Sequence, residues 1–321
     1  MIINELPTEL LNKIFSYVTG KNCMKNLAQT CQRFNVLCTV NFTLKINFDK
    51  IANGEIPIIN RDYSKVILEG TEIPEHFLDS LSSMNLETVS SLQITRSSIH
   101  NQVRSKGSKY CKILARSYLK ILKMFPNIIS LELDSVRLSV ILKSDTIKID
   151  ELPILQNLTF LKTRDVNECV YQCLWKANNL TKIIVTKVTA RRCHYFMNLL
   201  EQCRTNLKHL EADLFDVTSR KFSMDALEYL YFDFSNKHSL CGYSINFWLL
   251  DSPMLKTCSI KSFDFHANGI LDNTQDYQSS ILMLTIEERA REYIIEELPK
   301  LLKRFSLLEK LMCGKVLVWQ K

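Results

Sequence analysis

LKHLEA at residues 207–212 and LEYLYF at residues 227–232 are two copies of one pattern, apolar-x-x-apolar-x-apolar, and the fold turns on how that pattern is read. Its last four positions alternate as a strand buried on one side does. Working outward, the same spacing returns in YSKVIL from Tyr63, VSSLQI from Val89, IISLEL from Ile128, LTFLKT from Leu158 and LTKIIV from Leu180. On the other side come LKTCSI from Leu255, ILMLTI from Ile281 and LEKLMC from Leu308. Starts lie 20 to 30 residues apart, save for a longer interval between Val89 and Ile128, and an Asn often stands just before the first apolar position. Ten copies at such a period point to an array of similar units rather than to unrelated elements.

Several segments between copies change to helical periodicity. In SKYCKILARSYLKILKMF, residues 108–125, Leu114, Tyr118, Ile121, Leu122 and Phe125 line one side and the basic residues the other. CHYFMNLLEQC, residues 193–203, and REYIIEELPKLLKRF, residues 291–305, behave alike. Strand then helix, with each unit too small to bury its own apolar face, describes a solenoid. Over roughly residues 60–318 the chain resembles the leucine-rich repeat family, although Thr163 and Ala212 stand where a larger apolar residue is expected. The resemblance implies an α/β horseshoe with parallel strands inside and helices outside. Period two then turns His209, Glu211 and Asp213, Tyr229, Tyr231 and Asp233, and Ser259 and Lys261 to the open sheet face. Two outward tyrosines beside three carboxylates make this patch the candidate substrate site, suited to a basic or hydrogen-bonding anchor.

The N-terminus is different. In LPTELLNKIFSYV, residues 6–18, Pro7 suits the first turn of a helix and Glu9 the positive end of its dipole. Leu10, Ile14 and Val18 form one apolar stripe, and Leu11 with Phe15 a second about 100° further round. One stripe closes a small cluster and the other awaits a partner. Gly20 is placed to end this helix and Asn22 to cap the next; Leu27, Ala28 and Cys31, then Phe34, Leu37 and Val40, predict two more short helices.

Leu6, Pro7, Glu9, Leu10, Leu11, Ile14, Phe15, Tyr17, Leu27, Ala28, Cys31, Arg33 and Phe34 together resemble an F-box, placed over residues 1–45, with the repeats over 46–321. The resemblance implies docking on the Skp-type adaptor of a cullin–RING ubiquitin ligase through Leu6, Pro7, Leu10, Leu11, Ile14, Phe15, Leu27, Cys31 and Phe34. The repeats would hold an unidentified protein substrate. A scaffold that binds through the same repeats, outside any ligase, is the second reading.

The 321 residues are 46% apolar, enough for a sizeable core. No long uncharged apolar run and no basic-then-apolar leader is present, so a soluble protein of cytoplasm or nucleus without membrane association is expected. The seven glycines are too dispersed to cradle a phosphate, and neither GxSxG nor HExxH occurs, so neither catalysis nor a cofactor is expected of the chain itself. The 11 cysteines include no CxxC pair; Cys169, Cys173, Cys193, His194 and Cys203 match no finger spacing, and no metal is expected. The net charge of +7 is concentrated between Thr88 and Leu131, which holds no acid. There Lys109, Lys112, Arg116 and Lys120, followed by Lys123, are read as one helical face, either simply solvated or a candidate anion contact. Lacking interleaved aromatics, that face is a poor fit to nucleic acid.

Overall fold

The computed structural model describes residues 3, 6–18, 21–31, 33–34, 37, 43–52, 63–82, 86–96, 109–139, 152–187, 194–213, 222–233, 250–261, 280–286, 291–296 and 298–321. They belong to two compact units, Met1–Thr146 and Ile147–Lys321. Gly20, Val40, residues 97–108 and Cys193 lie outside the described residues.

The first unit opens with helices α1 (Thr8–Ser16) and α2 (Lys21–Thr30). Pro7 precedes α1 in extended backbone, φ −53° and ψ 146°, so its ring starts the helix without costing an internal hydrogen bond. Asn22 is the second residue of α2 rather than its cap, a shift within the usual fraying of helix ends. Strand β1 (Thr43–Asn47), helix α3 (Phe48–Ile51), strand β2 (Lys65–Glu69), helix α4 (Glu75–Ser82) and strand β3 (Ser91–Thr95) follow. The unit continues with β4 (Cys111–Leu114), α5 (Ala115–Met124), β5 (Ser130–Asp134) and β6 (Val136–Ser139). Strands β1, β2, β3 and β5 pair in that order, all parallel, while β4 and β6 form a separate parallel pair.

One expectation changes here. The helix read over 108–125 begins only at Ala115, because Cys111–Leu114 pairs with β6 as a strand. A further strand, Thr43–Asn47 with Leu44 and Ile46 buried, stands ahead of the ten copies of the pattern. It was missed because Asn41 stands where the pattern needs its first apolar residue.

The second unit runs β7 (Phe160–Arg164), α6 (Cys169–Cys173), β8 (Lys182–Thr186), α7 (His194–Cys203), β9 (His209–Asp213), β10 (Phe222–Ser223), β11 (Tyr229–Asp233), β12 (Leu250–Asp251) and β13 (Thr257–Lys261). Strand β14 (Met283–Ile286), helices α8 (Arg291–Glu296) and α9 (Leu298–Arg304), and strands β15 (Lys310–Cys313) and β16 (Val316–Gln320) complete it. The main sheet is long and parallel from β7 through β8, β9, β11, β13 and β14 to β15, and β16 closes on β15 antiparallel.

Register is set copy by copy. Ile183, Leu210, Leu230, Cys258, Leu284 and Leu311 are aligned neighbours across successive strands, and all are buried. Burying a leucine or isoleucine side chain stabilises by about 1.5–3 kcal/mol, so a slip of one residue would turn that whole row out to water. The small positions have local causes. Thr163 is buried with its Oγ1 2.9 Å from Tyr171 Oη, a contact a larger apolar side chain would lose. Ala212 is buried as well.

The Asn that precedes several copies also has a structural role. Asn127 Nδ2 donates to Glu87 O at 3.0 Å, Asn179 Nδ2 to Gln156 O at 2.7 Å and Asn206 Nδ2 to Asn178 O at 3.0 Å. Each acceptor stands two residues before the first apolar position of the preceding copy, so the amide ties one turn of chain to the next. Just after the strands, Ser135, Asp165 and Lys187 take left-handed backbone, φ 56°, 51° and 58°, as does Gly314 at 58°. Side chains other than Gly pay a steric cost there, so a sharp exit turn is built into the repeating unit.

Candidate functional site

Two surfaces stand out, one in each unit. On α1 the structure divides the two apolar stripes. Leu11 and Phe15 are buried with Phe34 and Leu37, and the rings of Phe15 and Phe34 meet edge to face at 5.1 Å. Leu6, Val18, Leu27 and Cys31 pack partly against this cluster, and Arg33 Nη2 donates to Leu6 O at 2.7 Å, tying the far end of the segment to the start of α1. A segment this short needs its largest apolar side chains for its own core. Leu11, Phe15 and Phe34 therefore present no free surface for docking.

The outward stripe consists of Leu10, Ile14 and Tyr17, respectively 49%, 40% and 74% exposed. Val18 does not extend it as the four-residue spacing predicts. Helix α1 ends at Ser16, and Val18 leaves the helical period to pack inward while Tyr17 takes the outer position. Pro7 is exposed, and Lys13 is exposed on the same helix.

The second surface is the sheet face over β9, β11 and β13. Tyr229 stands between His209 and Thr257, Tyr231 between Glu211 and Ser259, and Asp233 between Asp213 and Lys261. The sequence thus brings all the predicted residues together. The rings of His209 and Tyr229 stack at 4.2 Å, only 9° from parallel, and His209 Nε2 lies 2.6 Å from Glu211 Oε1. Lys261 Nζ pairs with Asp233 Oδ2 at 2.8 Å, and the Lys187 backbone N–H donates to Asp213 Oδ2 at 2.6 Å. Both tyrosines are half-buried. Burial first, then the Glu211 charge, raises the Tyr229 phenol above its ordinary value; for Tyr231 the order is burial, then Asp233. Both hydroxyls therefore stay protonated and able to donate.

The basic stretch does not form the face expected of it. Lys112 lies on β4, and Lys109 precedes that strand. On α5, Arg116 Nη2 pairs with Glu75 Oε2 at 2.8 Å and Lys120 pairs with Asp79, both carboxylates projecting from α4. Two of the four cations in the candidate anion contact are thus directed at carboxylates of the same chain.

Of the described cysteines, Cys111, Cys173, Cys203, Cys258 and Cys313 are buried in the core, Cys31 and Cys169 are half-buried and Cys23 is exposed. Burial pushes the Cys203 thiol up to about 12, Cys258 likewise to about 12, and Cys173 higher still. Thiols so placed stay protonated, which suits neither a nucleophile nor a metal ligand. Among the described residues no group of His, Cys, Asp and Glu has the geometry to hold a metal ion, and no helix is long and apolar enough to cross a membrane.

Residues 3–45 match the F-box-like family model. An F-box-like domain thus carries the α1 stripe, which supports an F-box protein. A search of curated proteins finds no match to the chain.

Proposed function

We propose that this chain is a substrate receptor of an SCF-type cullin–RING ubiquitin ligase. The F-box-like domain docks on the Skp-type adaptor, and the strand ladder, read as a leucine-rich solenoid, holds the protein to be modified. The chain supplies positioning rather than bond chemistry, acting from cytoplasm or nucleus. The observation that carries this reading is the apolar stripe of Leu10, Ile14 and Tyr17, exposed on the first helix of the F-box-like match while Leu11 and Phe15 complete the domain core behind it. Apolar side chains left in water on a domain with so little core are best accounted for by a partner surface that covers them.

Affinity purification of the full chain with quantification of adaptor tests this directly. Leu10→Ala combined with Ile14→Ala should abolish adaptor recovery and leave thermal stability within about 0.5 kcal/mol of wild type, because the side chains removed are exposed. Recovery at wild-type yield from the folded double variant would refute the docking surface. A chain that never recovers adaptor, yet still captures protein through the ladder, would favour the scaffold reading.

A further inference from the structure

On the β9–β11–β13 face, three carboxylates, Glu211, Asp213 and Asp233, surround Tyr231. The strands on its N-terminal side carry the opposite sign, with Lys162 and Arg164 on β7 and Lys182 on β8, the last aligned with His209. The face is therefore segregated, an acidic, aromatic island bordered by cations. The chain already shows what this island accepts: Lys261 reaches from the neighbouring strand to place its ammonium on Asp233, whose own carboxylate is mostly buried while the lysine remains half exposed.

We propose that this island is the anchor subsite for a single arginine side chain of an extended protein segment. The guanidinium lies over the Tyr231 ring and takes Asp233 as its ion-pair partner, with Lys261 displaced from it, while Glu211, in contact with His209 at 2.6 Å, adds negative charge beside the ring. Arginine fits better than lysine because a planar, weakly hydrated guanidinium stacks on an aromatic face and pairs with a carboxylate through two parallel hydrogen bonds, whereas an ammonium is a compact, strongly hydrated charge. Lys182, aligned with His209 at the island's edge, disfavours long basic tracts, so one anchor in otherwise neutral sequence is the preferred ligand. Burial is the main reason both phenols stay protonated; the secondary contributions, from Glu211 at Tyr229 and Asp233 at Tyr231, have the sign that would also draw a guanidinium in.

The inference deepens the receptor reading by naming the chemistry of its ligand, and its test is independent of the adaptor. The probe is a fluorescein-labelled peptide, Gly-Ser-Arg-Ser-Gly with both ends capped, titrated against the full chain by anisotropy; the same peptide with citrulline for arginine removes the charge at constant shape. The arginine peptide should bind saturably below about 1 mM and the citrulline peptide at least tenfold more weakly. Tyr231→Ala and Asp233→Asn should each weaken the arginine peptide by roughly tenfold, while Tyr231→Phe, which keeps the ring and guards against misfolding, should retain most of the affinity. Lys261→Ala should tighten binding severalfold, because it removes the internal competitor. That sign separates a ligand subsite from a merely structural ion pair. Equal binding of the citrulline peptide, no saturation by about 1 mM, or weaker binding by the Lys261 variant would overturn the proposal. Adaptor recovery should be the same for all these variants, so loss of adaptor docking and loss of the arginine subsite are told apart.

Discussion

The helical cluster at residues 6–37 and the strand ladder that follows it in the same unit are stabilised in opposite ways. The cluster concentrates its burial in Leu11, Phe15, Phe34 and Leu37, with partial help from four neighbours. In the ladder, Val66 and Leu68 pack beside Leu92 and Ile94, which pack beside Leu131 and Leu133, so every row has a row behind it. A small core holds by a few large contacts; a ladder holds by many equivalent ones. The same contrast appears on the outside. The cluster leaves the apolar stripe of Leu10, Ile14 and Tyr17 uncovered, whereas the second unit's ladder presents rings and charges whose chemistry can be altered strand by strand without disturbing the core.

The contrast breaks most easily at Phe15. Phe15→Ala should cost about 3–5 kcal/mol, close to everything so small a cluster can contribute, whereas Leu92→Ala at a fully buried ladder position should cost about 2–5 kcal/mol spread over neighbouring rows. Hydrogen exchange read residue by residue should show protection lost throughout 8–30 in the first variant, with 65–69 and 91–95 still protected. In the second, protection should fall in β2, β3 and β5 together. If Phe15→Ala instead lowers protection equally in the strands, cluster and ladder form one cooperative unit and the contrast fails.

How far the sequence could be read follows from which interactions are local. All ten copies of the pattern become strand positions, because period two reports burial on one face wherever a copy lies, and the apolar positions of LEYLYF and LKHLEA are buried as that period requires. What the pattern does not carry is pairing at a distance. Cys111–Leu114 looks like the start of a helix until β6 pairs with it, and Leu114 then lies half-buried in a strand rather than on the helix face. Nor does hydropathy separate the two stripes of α1, since Leu10 and Leu11 are the same residue type; only the position of Phe34 decides which is inside. The residues of the β9–β11–β13 face were legible because they are simply the other half of the alternation, while the partners of Arg116 and Lys120 on α4 were not, being 41 residues away in each case.

A smaller effect sharpens the account of the ladder itself. If the apolar pattern alone governs stability, Thr163→Val should be neutral or better, since it restores an apolar residue of the same shape. If the buried hydroxyl pair is what stabilises this position, the loss of the bond between Thr163 and Tyr171 should cost about 1 kcal/mol. We expect the cost, read as a lower midpoint of denaturant unfolding at unchanged slope, because the contact is short and shielded from water. A neutral result would show that departures from the apolar pattern are merely tolerated.

The smallest expected effect concerns the α4–α5 pairs. Arg116 and Glu75 are 64% and 42% exposed in their side chains, so their attraction is screened by water and ions, and the same holds for Lys120 with Asp79. Exposed pairs typically contribute 0–1 kcal/mol. Arg116→Gln with Lys120→Gln should therefore change unfolding free energy by less than about 1 kcal/mol, and that small difference should vanish in about 1 M salt. The informative comparison is with the reverse pair, Glu75→Gln with Asp79→Gln. It removes the carboxylates that hold these cations and leaves α5 with the unopposed basic face that its sequence suggests. If that variant gains affinity for inorganic phosphate while wild type shows none, intramolecular pairing is what silences the basic helix. Phosphate binding by wild type at equal strength would show that the cations act outward despite their partners, and the reading of α5 as a self-neutralised outer face would fall.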